Sequence, residues 1–167
     1  AVHAAWYSQS LEVLNEFCPE RQLTEHGLRH STNPDHPLHQ AIENILKGLE
    51  APLPHGHSFL DKDGHERSDI RIKWWLDPRG RSVRDMSVIE DLEVGQMPFQ
   101  ATTTEHYGPT EKPVFFGHYW LKGQPELYRH NVCCLDYSIA KGGHLVAYRF
   151  DGEQKLRSEK LIAVHAS

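Results

Sequence analysis

The sequence predicts a mixed α/β (α+β) fold, with helices flanking a sheet that ends in antiparallel strands. Three observations carry that expectation. Leu38, Ile42, Ile45, Leu46 and Leu49 recur at the period of an amphipathic helix. Short apolar runs of strand length stand at Val114–Phe116, 131–135 and 145–150. The first of these runs stops at Gly117-His118, and open α/β sheets place their chemistry where strands end.

Taken in order, the chain opens on Ala1-Val2-His3-Ala4-Ala5-Trp6, a second histidine at what reads as a strand end. Residues 6–17 place Trp6, Tyr7, Leu11, Val13, Leu14 and Phe17 at helical spacing, and Pro19 stops the run. Residues 18–37 are polar and rich in helix breakers, and read as a loop or mobile insertion. The helix from Leu38 follows, with Asn33 or Asp35 as its cap and Gly48 near its end. Asp61-Lys62-Asp63-Gly64 is a turn signal between two extended stretches, which predicts a hairpin. Its second arm, 67–75, alternates: Ile70, Ile72 and Trp74 face one way, Arg71 and Lys73 the other. Residues 76–112 read as irregular surface connection. Lys141-Gly142-Gly143 predicts a tight turn that joins the strands at 131–135 and 145–150 as an antiparallel hairpin. Residues 154–164 supply a closing strand.

A chain of 167 residues is long enough for one domain with a proper core, and residues 1–167 read as a single domain. The formal net charge of -5 argues against a general nucleic-acid-binding surface. No apolar run approaches the roughly 20 residues that span a bilayer, and no signal peptide is visible. Cys18, Cys133 and Cys134 form no disulfide framework and no CxxC; they read as reduced thiols of a cytoplasmic protein. Of the 13 histidines, His26, His30, His36, His39, His55 and His57 read as solvated loop residues. Ala1-Val2 leads straight into the His3 motif with no room for an element, so the chain reads as a fragment with an upstream portion missing.

Two strand-end histidines far apart in sequence suggest a metal site assembled by folding. Neutral imidazole suits zinc, iron, manganese or nickel, and a hydrolytic site needs further donors, often carboxylates. Taken alone, His118 is a metal ligand or a packed structural histidine, and His3 has the same two roles. Asp136, at another strand end, is a further donor or a turn cap.

The run Phe116-Gly117-His118-Tyr119-Trp120, then the stretch from Cys133-Cys134-Leu135-Asp136-Tyr137-Ser138 through Lys141-Gly142-Gly143-His144, closely resembles the C-terminal end of calcineurin-like metallophosphoesterases. The nearest types are bacterial serine/threonine phosphatase-like and diadenosine tetraphosphatase-like proteins. Lys47-Gly48-Leu49-Glu50-Ala51-Pro52, Asp61-Lys62-Asp63-Gly64 and Arg71-Ile72-Lys73-Trp74-Trp75 resemble the same bacterial subgroup, and Val2-His3-Ala4 matches its strand-end histidine motif. The resemblance implies the C-terminal half of a four-layer β-sandwich flanked by helices. It implies a metal-dependent phosphatase with two divalent ions (Mn, Fe, Zn or Ni) in the full-length enzyme, none or one of them held by this chain alone, which would bind metal poorly, and His3 and His118 as late ligands of the same ion. The implied substrate is a phosphoprotein, a dinucleoside polyphosphate or a small phosphoester. Arg79 and Arg81, after a Trp75-x-Asp77-Pro78 similar to the family's Trp-Ser-Asp-Pro, and Tyr119 are the substrate-binding candidates, with solvated turn arginines and a packed aromatic as the alternatives.

The sequence departs from the family's pattern at the decisive place. It contains no Gly-Asp-x-x-Asp-Arg, no Gly-Asn-His-Glu and no suitable Asp-x-His. The chain alone is therefore expected to be inactive. It would associate with itself through an open sheet edge or pair with the missing N-terminal half. The alternatives are a non-catalytic binding or interaction module built on half of the fold, and a self-contained mononuclear hydrolase using His3, His118 and Asp136.

Overall fold

Apolar spacing and local capping fix the helices. The computed structural model describes residues 1–61, 63–89, 91–101 and 106–166. Helix α1 spans Ser8–Phe17 and helix α3 spans Pro37–Lys47, as their periodicity predicts. They pack together, with Leu38 and Ala41 buried and Asn44 donating to the buried Ser10 hydroxyl at 3.0 Å. The cap of α3 is neither Asn33 nor Asp35. His36 takes that role: its Nδ1 accepts the Leu38 N–H at 3.1 Å, one residue past Pro37 at the first helical position. Gly48 follows α3 with φ 92°, a left-handed stop that suits glycine.

The segment 18–37 is not a plain loop. It holds helix α2, Glu25–Ser31, whose N-cap Thr24 accepts the Gly27 N–H at 3.1 Å. Helix-breaking composition outside the segment's middle hid a well-capped short helix, which packs on α3.

The described chain falls into two compact units. The first comprises Ala1–Lys47 and Gly108–Ser167, and the second Gly48–Tyr107.

In the first unit, strand β5 (Val114–Phe116) pairs in parallel with β6 (Val132–Cys134), with Val114 opposite Val132 and Phe116 opposite Cys134. All of β6 is buried, and a continuous apolar run is what a strand covered on both faces requires. The N-terminal residues run beside β5 on its other side. Val2 N–H donates to the Phe115 carbonyl at 3.0 Å, and Gly117 N–H to the His3 carbonyl at 2.9 Å. Ala4 and Ala5 are fully buried, and both N–H groups are tied to the Ile45 carbonyl near the end of α3.

The Gly142-Gly143 turn closes a hairpin, but with a different partner from the one the sequence suggests. The chain leaves β6 at Leu135 and changes sheet. Strand β7 (Asp136–Tyr137) then pairs antiparallel with β8 (His144–Tyr148), and β8 with β9 (Leu161–His165). The parallel partnership of β6 with β5 is what removes 131–135 from the hairpin. Leu145 opposite Val164 and Ala147 opposite Ile162 leave one exposed apolar face on the β8–β9 ribbon.

In the second unit, β1 (Glu50–Pro52) pairs antiparallel with β4 (Asp69–Arg71), and β2 (Phe59–Leu60) with β3 (Glu66–Arg67). The predicted hairpin is present. Lys62 of its turn lies outside the described residues. Asp61 organises the turn by accepting N–H bonds from Asp63 and His65, both at 2.9 Å. Those bonds and Arg67 hold its carboxyl pKa down at about 2. The second arm divides between two partners, and its alternation ends at Trp74-Trp75, where both indoles are buried. Residues 76–112 are not mere surface connection. Helix α4 (Val83–Met86) opens on a capping box between Ser82 and Asp85. Val83, Leu92 and Val94 form a core with Leu53 and Ile70. Apolar residues spaced irregularly along a chain of turns gave no periodic signal of that core.

Candidate metal centre

Folding brings His3 and His118 together, although only His118 follows a strand: residues 1–7 lie beside β5 through two backbone hydrogen bonds and form no strand of their own. His3 ends the N-terminal segment and His118 follows β5. Because these two run side by side in the same direction, both imidazoles emerge at one carboxyl edge. Their ring centroids lie 5.1 Å apart, with the planes inclined at 55°. His3 is exposed and His118 half-buried. This is the edge where open α/β sheets bind ligands.

The backbone at this edge is unusual. His118 has φ 72°, Trp120 φ 49° and Ser138 φ 58°. Side-chain-bearing residues seldom adopt that left-handed conformation, and it costs roughly 1–2 kcal/mol at each position. Such strain gathers at functional sites because the surroundings over-determine it. Gly117, by contrast, has no positive φ. A Cβ placed there would meet Asp136 Cβ at 3.4 Å and the His3 carbonyl oxygen at 3.8 Å, ordinary contacts. The special conformation belongs to the histidine, not to the glycine before it.

Asp136 stands next to Gly117, where β6 gives way to β7. One carboxylate oxygen accepts the Ser138 N–H at 3.2 Å, and its carbonyl accepts the Leu121 N–H at 3.1 Å. Asp136 is therefore a turn cap that shapes this edge. Among the described residues, no group of three or more histidine, cysteine, aspartate or glutamate side chains is arranged to hold a metal ion. The two imidazoles are neighbours at this edge, and no third side chain of these types joins them there among the described residues.

Burial pushes the Cys133 and Cys134 thiols up to about 12, away from the thiolate form. Tyr119 is buried, its ring edge-on to Phe116 at 5.6 Å and to His118 at 6.3 Å. The neighbouring Trp120 is half-exposed, and the Lys141 ammonium sits 4.0 Å from its ring centroid, a cation–π contact. No sequence pattern pointed to Trp120 and Lys141, because their meeting depends on the turns after β5 and β7.

Arg79 and Arg81 belong to the second unit, in the turn at Asp77-Pro78. Arg79 grips the Asp77 carboxylate through Nε and Nη2, at 2.9 and 2.6 Å. Arg81 Nε donates to the Asp77 carbonyl at 2.7 Å. Both guanidinium groups are engaged in holding their own turn.

The class defined by these observations is a mixed α/β protein with a two-histidine carboxyl edge. Among known proteins, no family model, no curated sequence and no solved structure matches the chain. Among the described residues no helix is long and apolar enough to cross a membrane.

Proposed function

We propose that the chain carries two ligands of a dinuclear metal centre that hydrolyses phosphoesters, in a cytoplasmic calcineurin-like metallophosphoesterase. In this reading the fold is the C-terminal half of a four-layer β-sandwich. The remaining ligands come from outside these 167 residues, which contain neither Gly-Asp-x-x-Asp-Arg nor Gly-Asn-His-Glu. The supporting observation is the meeting of His3 and His118 at the carboxyl edge, 5.1 Å between ring centroids.

Divalent ions, when bound there, supply Lewis acidity and stabilise charge on phosphoryl oxygens. His3 and His118 bind, each through one ring nitrogen. The left-handed backbone at His118 aims its ring, and the Asp136 cap holds the neighbouring turn. Tyr119 is packed inward and Arg79 and Arg81 are held by Asp77, so none of the three is used in this reading. The substrate class is a phosphoprotein, a dinucleoside polyphosphate or a small phosphoester.

A second reading, a non-catalytic binding module, has one observation in its favour: among the described residues no third donor joins the two histidines. The readings are separated by titrating manganese or zinc into the protein while following its histidine ring resonances. The proposal expects weak binding, with the His3 and His118 signals moving together only at excess metal, and either alanine substitution to abolish the response of the other. Signals that stay fixed at saturating metal refute it. The chain alone is expected not to hydrolyse para-nitrophenyl phosphate, and robust metal-dependent turnover would show that no further ligands are needed.

A further inference from the structure

A second group of imidazoles lies in the first unit, away from His3 and His118 in sequence and on different elements. Helix α2 places His26 and His30 four residues apart, so the two side chains share one face. Their Nε2 atoms stand 3.1 Å apart. The rings meet edge-on, with centroids at 4.3 Å. His36 stacks on His30 at 4.2 Å and 26°, and Phe17 meets His36 edge-on at 4.9 Å. His26, His30, His36 and Phe17 thus form a chain of ring contacts in which His30 touches both His26 and His36.

The sequence alone assigns these histidines to solvated loop. The geometry makes them something more specific. In the metal-free protein one Nε2–H donates to the other Nε2. Two converging Nε2 atoms are also what a chelated cation needs. Ligand nitrogens at about 2.0–2.1 Å from a zinc ion lie roughly 3.3 Å apart at a tetrahedral angle and ~2.9 Å apart at a right angle. The observed 3.1 Å falls between these. His36 does not contribute its Nδ1, which is occupied by the Leu38 N–H. No third protein donor of the usual types completes the group among the described residues, and exposed His26 leaves room for water in the remaining positions.

We propose that His26 and His30 form a two-imidazole chelate for one borderline divalent cation, such as zinc, nickel or copper, independent of His3 and His118. Donors of this kind select those ions over magnesium and calcium, which prefer oxygen. On binding, the ring that donates the Nε2–H moves that proton to its own Nδ1. Both Nε2 lone pairs then face the cation, and no net proton is released.

The test uses the full chain in a His3→Ala/His118→Ala background, which isolates the α2 site. Nickel chloride is titrated by calorimetry, and copper binding is followed by electron paramagnetic resonance. The proposal expects one bound equivalent and hyperfine coupling to two nitrogens. Adding His26→Ala weakens binding at least ~10-fold, since even outer partners of metal ligands are worth that much. His26 is exposed, so this variant folds; circular dichroism confirms it, and His30→Ala serves as a second check. Loss of all binding in the His3→Ala/His118→Ala background overturns the proposal. So does affinity unchanged by His26→Ala.

Discussion

The imidazoles of His3 and His118, drawn from opposite parts of the chain, stand with ring centroids 5.1 Å apart because the N-terminal segment runs beside β5. One of the two is held in a backbone conformation that a side-chain-bearing residue tolerates poorly. If His118 is the ligand proposed above, its role is carried at a backbone position that glycine would occupy more comfortably.

Replacing His118 separates the ligand role from the backbone cost. His118→Gly is expected to be more stable than His118→Ala by about 1 kcal/mol, because only glycine sits at φ 72° without a steric cost. Both variants lose the ligand. Urea unfolding midpoints check the first statement and metal titration the second. Equal midpoints would mean that the left-handed conformation stores no strain.

The glycines of the first unit are not equivalent. A Cβ at Gly143 would collide with the Tyr137 carbonyl oxygen and lie 2.9 Å from that of Ser138, both backbone atoms. Gly143→Ala is expected to cost more than ~2 kcal/mol and to open the β7–β8 hairpin. Gly117→Ala, with contacts of 3.4 Å and beyond, is expected to be neutral within about 0.5 kcal/mol. Denaturant titration of the pair decides the matter, and a stable Gly143→Ala would contradict the turn as described.

The second unit has a core of its own, and truncation should reveal it. Ile70 is fully buried among Leu53, Val83, Leu92 and Val94. Ile70→Ala is expected to cost about 3 kcal/mol, the usual penalty for emptying such a site. Thr24→Ala, which removes only the cap of α2, is expected to cost about 1 kcal/mol. Thermal unfolding of both variants ranks them, and the reverse order would be inconsistent with these contacts.

Acid should loosen the β8–β9 ribbon. Lys160, buried at 5% exposure, donates to Asp151 and Glu153, each at 2.8 Å, and Tyr148 donates to the same Glu153 oxygen at 2.7 Å. Bonding to Lys160 first, then Tyr148, holds the Glu153 pKa at about 2, below its ordinary 4.5. A carboxylate held down in the folded state stabilises it above pH 4.5, and that contribution is lost as pH falls toward about 2. Glu153→Gln should lower the urea midpoint near neutral pH and flatten its decline between these limits. A decline as steep as in the parent would place the acid sensitivity elsewhere.

Much of the fold was legible in the residues. The apolar periods of α1 and α3, the run at Val114–Phe116 and the turn at Asp61 each gave their element from local pattern. His3 and His118 were legible as a pair for the same reason: an apolar run followed at once by a polar ring is a local signal. What depended on partners was not legible. Whether 131–135 pairs with β5 or with β8 is a matter of which strand is nearby, and its buried cysteines and valine suit either. Helix α2 owes its start to one threonine hydroxyl, and α3 is capped by an imidazole, a residue type seldom read as a cap. The engagement of Arg79 and Arg81 by Asp77, and the facing of His26 and His30, appear only once side chains have places.

His118, Trp120 and Ser138 share one further property. At each, the backbone has a positive φ that glycine adopts at no steric cost. A sequence designed on this backbone for folding alone would replace all three, and the redesigned protein would be sturdier. The difference between such a design and the natural chain would fall at the very edge where the two histidines meet.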